Sequence, residues 1–251
     1  LNQKLINTVY NYKPDLLIFG HADLIKNNTL SYLKDNYKNL RIAQWFLDPL
    51  IKDGPDFTKN KSRILDKIEF TDANFITTSP DVLNFLPKSK PCLFMPNPAD
   101  TSFEVLNNYE NNQCSMDVFF ALSHGVHRGI LKKGKYDERT DFVNKLVEIT
   151  PNVKFDLYGI NNVQPIWADS FLKSISNAKM GVNLSRGDPT KYYSSDRITQ
   201  LIGNGLLTFI HRSTLYNNFF SKNEVIFYTN ISNLSEKIQK YARDDKARIK
   251  I

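Results

Sequence analysis

The chain has 251 residues, 41% of them hydrophobic and 24% charged, which excludes a disordered or fibrous class and leaves room for one large core or two modest ones. Its 33 basic and 26 acidic residues give a net charge of +7, spread along the chain and not gathered in a tail. That balance suits an anionic ligand or an anionic membrane surface, and no nucleic-acid-binding motif accompanies it.

In chain order, 1–12 has apolar residues at helical spacing, and "PDLLIFG" (14–20) is a short apolar run that predicts a buried strand. "NTLSYLKDNY" (28–37) predicts a helix capped by Asn28 or Thr29, and "LRIAQWFLD" (40–48) a strand. A helix over 58–68, a strand over 73–79, a helix over 79–86 with Ser79 as N-cap and Pro80 at its first position, and a strand over 91–96 complete this half. After the polar stretch "NNYENNQCS" (107–115) the alternation restarts: strands at 116–123, 153–159, 179–185, 205–210 and 224–229, helices at 138–150, 165–178, about 195–203, 213–220 and 232–243. Near-continuous apolar strands separated by helices predict parallel sheets covered on both faces. The restart predicts two such units: 1–98, a linker over 99–115, and 116–251.

Ligands of open parallel sheets bind beyond the carboxyl ends of the strands. In the second half those ends carry "SHGVHRG" (123–129), "YGIN" (158–161), "SRGDPTKYYSSDR" (185–197) and "HRS" (211–213). Glycine lets a ligand approach the backbone, and arginine grips phosphate with paired hydrogen bonds. Arg128, Arg186 and Arg197, with His124, Gly125, Tyr158, Gly159, Ser194 and Ser195, therefore mark a candidate phosphate site. A helix starting at Ser195 or Asp196 would add free N–H groups there. Arg197 and Gln200 share a helix face, the first placed for phosphate and the second for ribose hydroxyls; Asp196 is a candidate cap. Tyr192 and Tyr193 suit either a stacking surface or the core, and Trp45 and Trp167 read as core.

The run "SSDRITQLIGNGLLTF", with "AKMGVNLSRG" before it and "FFSKNEVIFYTNISNLSEKI" after it, resembles the nucleotide-sugar half of GT-B glycosyltransferases, most of all the bacterial branch related to the CgeB-like spore-maturation proteins. That branch has the form Ser-x-Arg-x-x-Glu-x-x-x-x-Gly; Ser195, Arg197 and Gly205 fit it, and Gln200 stands where the family has Glu. "PNPAD" (96–100) resembles the segment that leads from the acceptor domain to the donor domain of the same family, and "RIAQWFLDP" (41–49) an acceptor-domain strand with a Trp and an Asp at its end. The resemblance implies a GT-B fold, two Rossmann-like parallel-sheet domains facing a cleft. It further implies a nucleotide-diphosphate sugar as co-substrate, no cofactor, and no metal, because arginines and helix ends neutralise the leaving diphosphate. Gln in place of Glu offers a ribose diol one acceptor oxygen instead of two, so altered nucleotide binding is expected. The family's first strand and closing helix have no counterpart here, and the chain starts at Leu1 and ends at Ile251 in a basic helical stretch, so it is expected to be a piece of a longer protein.

Transfer with inversion needs a base near the acceptor hydroxyl. His21 and Asp23, after "LLIFG", and Asp48, after "RIAQWFL", are the candidates, with His21 and Asp48 as the catalytic pair; a retaining enzyme needs no such base. His124 and His127 lack a third ligand, which argues against zinc. Cys92 and Cys114 show no metal or redox spacing, which points to a reducing, cytoplasmic location. No run approaches the roughly 18–20 apolar residues needed to cross a bilayer. The expected partners are a nucleotide-sugar donor and a saccharide, lipid or protein acceptor, with peripheral contact to the inner membrane face compatible with the charge. Two rivals stand beside transfer: nucleotide-sugar epimerisation on the same fold, and a binding relative without catalysis.

Overall fold

A computed structural model describes residues 1–54, 56–111, 113–123, 126–127, 130–131 and 137–251. It divides into two compact units, residues 1–97 with 190–195, and residues 98–189 with 196–251. The stretch 98–115, read from the sequence largely as a linker, thus folds with the second unit.

The first unit runs α1 (Asn2–Tyr12), β1 (Leu16–Phe19), α2 (Asn27–Asn36), β2 (Arg41–Phe46), α3 (Phe57–Ile68), β3 (Ala73–Ile76), a 3-10 turn (Pro80–Val82) and β4 (Cys92–Phe94). Its four strands pair in parallel in the order β1-β2-β3-β4. Every crossover steps the same way across the sheet, and right-handed crossovers of one direction place their helices on one face. Val9, Leu30, Leu33, Leu40 and Ile42 form one cluster on that face, and Phe46, Leu50, Ile64, Ile76 and Leu83 another. On the opposite face Leu16 and Ile18 of the edge strand and Leu93 of β4 remain about half exposed. This sheet therefore departs from the expectation of cover on both faces.

Residues 190–195 complete the first unit. The amide of Ser79 donates to the carbonyl of Lys191, Asn97 Nδ2 donates to the carbonyl of Ser194 at 3.2 Å, Lys191 pairs with Asp81, and Tyr192 packs on Phe94 with ring centroids 4.9 Å apart.

The second unit runs β5 (Met116–Ala121), β6 (Val126–His127), β7 (Ile130–Leu131), α4 (Glu138–Glu148), β8 (Phe155–Tyr158), α5 (Ala168–Ile175), β9 (Ala178–Asn183), α6 (Arg197–Gly203), β10 (Leu207–His211), β11 (Ile226–Tyr228), α7 (Ile231–Arg243) and α8 (Asp245–Ile249). Five strands form a parallel sheet in the order β11-β10-β9-β5-β8, and β6 and β7 pair as a short antiparallel ribbon. The chain steps from β5 outward to β8 and then returns past β5 to β9, so the direction of winding reverses between β5 and β9. The main core gathers Val118, Phe120, Leu122, Val143, Met180, Val182, Phe209, Tyr228, Leu234 and Ile238. Asn108 is fully buried and donates to the carbonyls of Ile175 and Ala178 at 2.7 and 2.8 Å. Asn204 accepts from the amides of Leu106 and, through its carbonyl, Asn108. These bonds explain why 98–115 packs as part of the unit.

Several local expectations are corrected. Residues 79–86 make a single 3-10 turn because Pro87 disfavours helical geometry at Leu86; Ser79 donates to Asp81 instead of capping. Residues 213–220 form two 3-10 turns separated by Leu215 at φ 57°. Lys26, not Asn28 or Thr29, precedes α2, and Thr29 donates to Asn2. Asp196 makes no side-chain cap bond to α6, which has only seven residues. Trp167 is 44% exposed and does not belong to the core.

Candidate functional site

The second unit presents its candidate site where the winding reverses. Arg197 opens α6 and turns its guanidinium onto the strand ends: Nη1 donates to the carbonyl of Leu184, one residue past β9, at 2.8 Å, and Nη2 to the carbonyl of Ala121, the last residue of β5, at 2.9 Å. The charge also stacks 4.9 Å from the Phe120 ring. Arg197 thus sits at the predicted edge, with part of its donor set spent on tying β5 to β9. Close packing fixes the helix behind it, since a Cβ on Gly181 of β9 would lie 2.3 Å from Leu201.

Gln200 lies three residues further along α6, half-buried, and its side-chain amide makes no hydrogen bond among the described residues. Arg186, two residues beyond Leu184, has a side chain 34% exposed with Nε 3.9 Å from Asp137. Asp137 caps α4, fully buried, and Arg139 grips it with two bonds of 2.8 and 2.7 Å. The neighbouring Glu138 accepts from the amide of Gly187 at 3.0 Å, which docks the 185–189 loop on the start of α4. The role of the acidic start of α4 was missed by sequence reading; its signal was "DERTD" (137–141), at the start of the helix expected over 138–150.

The remaining donor-side candidates divide. The Tyr158 hydroxyl accepts from Ser174 at 3.1 Å and its ring packs near Phe119, so this side chain is engaged with the α5 side of the unit. Gly159, at φ +74°, is demanded by packing: a Cβ there would fall 1.9 Å from the carbonyl oxygen of Leu122. Ser194 and Ser195 fold with the first unit, Ser194 buried, with its hydroxyl donating to the carbonyl of Ser195. Tyr193 is buried. His124, Gly125 and Arg128 lie outside the described residues.

The first unit holds a second cluster, again at carboxyl strand ends. His21 follows β1 and Asp48 follows β2, and Arg63 from α3 joins them. Its Nε donates to Asp23 at 2.9 Å, its Nη1 pairs with Asp48, and its Nη2 lies 2.7 Å from His21 Nδ1. The Arg63 hydrogen bond holds the Asp23 carboxyl below its usual range. Burial pulls on the Arg63 charge, but its bonds to Asp23 and Asp48 outweigh that and push its pKa up. Arg63 escaped sequence reading because its partners stand 15, 40 and 42 residues away, and on its own it looks like the polar face of an amphipathic helix. Among the described residues no group of three His, Cys, Asp or Glu side chains is placed to hold a metal ion, and no helix is long and apolar enough to cross a membrane.

Two parallel α/β sheets of four and five strands, each with its polar cluster at the carboxyl edge, define the GT-B class of fold. Within it, residues 139–251, less than half of the chain, match the family model described as Glycosyl transferase-like. Among solved structures, Anabaena HepE in complex with UDP and glucose is similar at a TM-score of 0.61 and 10% identity, covering 99% of this chain and 73% of that one. A UDP-forming α,α-trehalose-phosphate synthase from Burkholderia xenovorans is similar at 0.57 and 8%, covering 99% and 70%. The apo lipopolysaccharide outer core galactosyltransferase WaaB is similar at 0.52 and 10%, covering 99% and 73%. No curated protein matches the chain.

Proposed function

We propose that this chain transfers a sugar from a nucleoside-diphosphate sugar to an acceptor hydroxyl, without a metal ion. The supporting observation is the position of Arg186 and Gln200: both lie near the reversal of a parallel sheet, within the segment similar to a Glycosyl transferase-like family. Arg186, Arg197 and Arg128 hold the diphosphate, with His124 and Gly125 beside it, and Gln200 binds the ribose. Arg197 does so indirectly as well, by fixing the strand ends from which the phosphate-binding loops depart. Tyr158, Gly159, Ser194 and Ser195 shape the surrounding loops. His21 and Asp48 receive the acceptor. The donor is a uridine nucleotide sugar, the chemistry shared by the complexes of HepE with UDP or UDP-glucose. The Ser195, Arg197 and Gly205 spacing favours the CgeB-like branch, and the reading places the protein in a bacterial cytoplasm, building cell-envelope polysaccharide, with peripheral membrane contact through its basic surface.

Thermal stabilisation by UDP, GDP and ADP tests the donor site, because a ligand bound only by the folded state raises stability by RT ln(1 + [L]/Kd). UDP should stabilise the chain, and Arg186→Ala should reduce that increment. No stabilisation by any of the three overturns the reading. Release of UDP from UDP-glucose in the presence of mixed saccharide acceptors, undiminished by EDTA, tests transfer without metal; epimerised free sugar without any acceptor would favour the epimerase instead.

A further inference from the structure

A guanidinium carries five N–H donors and no acceptor, and it stays charged in proteins. At 2.7 Å from Arg63 Nη2, His21 Nδ1 must therefore accept, which places the ring proton of the neutral imidazole on Nε2. In the usual histidine–aspartate couple the carboxylate takes the Nδ1 proton and Nε2 becomes the base. Here Asp48 Oδ2 is 3.8 Å from Nδ1, beyond hydrogen-bond reach, and Arg63 is the near partner of both. The arrangement is braced: the Arg63 side chain is 18% exposed, its charge lies 5.7 Å from the Phe46 ring, and His21 meets that ring edge-on at 6.3 Å. Asp48 keeps Oδ1 without a hydrogen bond among the described residues, on a side chain 33% exposed.

We infer that Arg63 is a positioning residue that holds His21 as a neutral Nε2–H donor and leaves Oδ1 of Asp48 as the proton acceptor of the cluster. The inference rests on the transfer reading in its inverting form and assigns its acceptor side. His21 Nε2–H donates to the acceptor hydroxyl oxygen, and the hydroxyl proton passes to Asp48 Oδ1. The freed electron pair on oxygen forms the bond to the anomeric carbon, while the bond from that carbon to the diphosphate breaks and its pair leaves with the nucleoside diphosphate. Of the pair offered by the sequence, this makes Asp48 the base and His21 the donor.

Imidazole nitrogen NMR on the 15N-labelled chain tests the positioning role without any substrate, with His21→Gln identifying the His21 signals. Wild type should show the Nε2–H tautomer alone, and Arg63→Ala should admit the Nδ1–H form that a free neutral imidazole also samples. An Nδ1–H ring in wild type, or an unchanged tautomer in Arg63→Ala, overturns the inference. Should Arg63→Ala fail to fold, the wild-type tautomer decides alone, and Asp23→Asn, which loosens only the Nε bond, should weaken the preference. In transfer assays glutamine can replace a donor but not a base. His21→Gln should cost about tenfold or less, and His21→Ala and Asp48→Asn about 100-fold or more, as expected for loss of general-base catalysis. Equal loss in His21→Gln and His21→Ala makes His21 the base and sinks the assignment. A chain that binds no nucleoside diphosphate fails the transfer reading, while the tautomer is still settled by NMR.

Discussion

The guanidinium of Arg197 donates to the carbonyl of Ala121 at 2.9 Å, so the first residue of α6 holds the last residue of β5, 76 positions earlier in the chain. Its second bond, to Leu184, clamps β9 to the same point. A charged donor to a carbonyl contributes about 1.5–3 kcal/mol, and an abandoned carbonyl adds a desolvation cost. Arg197→Ala should therefore lower stability in a urea titration by about 2–4 kcal/mol. Lysine, with one ammonium in place of a fork, should recover less than half of it. Loss of nucleotide binding in Arg197→Ala consequently needs to be read as the ligand-dependent increment and not as absolute Tm.

Gly159 marks a second unforgiving position. At φ +74° an L-residue costs on the order of 1–2 kcal/mol before any collision. The added Cβ would also strike the carbonyl of Leu122, which belongs to backbone and cannot swing aside. Gly159→Ala should destabilise by about 3 kcal/mol or more, visible as a lower urea midpoint. Retention of the wild-type midpoint would contradict the backbone geometry at the end of β8.

Asp72 couples stability of the first unit to pH. Burial alone would raise its pKa, but bonds from the Ile42 amide at 2.8 Å and from Lys34 at 3.1 Å outweigh that and hold it below the ordinary value. A carboxyl with a lowered folded-state pKa contributes stability in full above its unfolded value of about 3.9, and loses it as pH falls through the folded value. Stability measured by urea titration should decline on acidification in that window. Asp72→Asn should start lower at pH 7 and show a flatter acid limb.

Gln200→Glu is expected to strengthen UDP binding. A carboxylate supplies two acceptor oxygens to a ribose diol where the amide supplies one. Stronger binding by about threefold to tenfold, read by calorimetry, would match one added hydrogen bond of about 1 kcal/mol. Unchanged affinity would remove Gln200 from the ribose site.

The strands were legible from sequence because each is a short apolar run, and all nine parallel strands fall within or within one residue of those runs. Helices with a full amphipathic stripe, such as α3 and α7, were equally clear. What failed was local: at 79–86 and 213–220 apolar spacing suggested helix, but Pro87 and the left-handed Leu215 broke the propagation that a helix needs. The polar clusters were half legible. His21, Asp48, Arg186 and Arg197 could be placed at strand ends from the chain order alone. Arg63 could not, since nothing in "KNKSRILDKI" says that its third basic side chain turns toward loops 15 to 42 residues away. Nor could the sequence say that Arg197 would spend donors on carbonyls, because that depends on two strands meeting side by side.

Residues 190–195 fold with the first unit although they lie deep in the sequence of the second. Neither unit is therefore a single stretch of chain, and no one cut can separate them. A protein truncated to 98–251 would carry six residues that lose partners in the first unit, such as Phe94 against Tyr192 and Asn97 bonded to the buried Ser194. Deletion mapping would then assign to the second unit defects that arise in the first, so point substitution is the sounder way to apportion function between them.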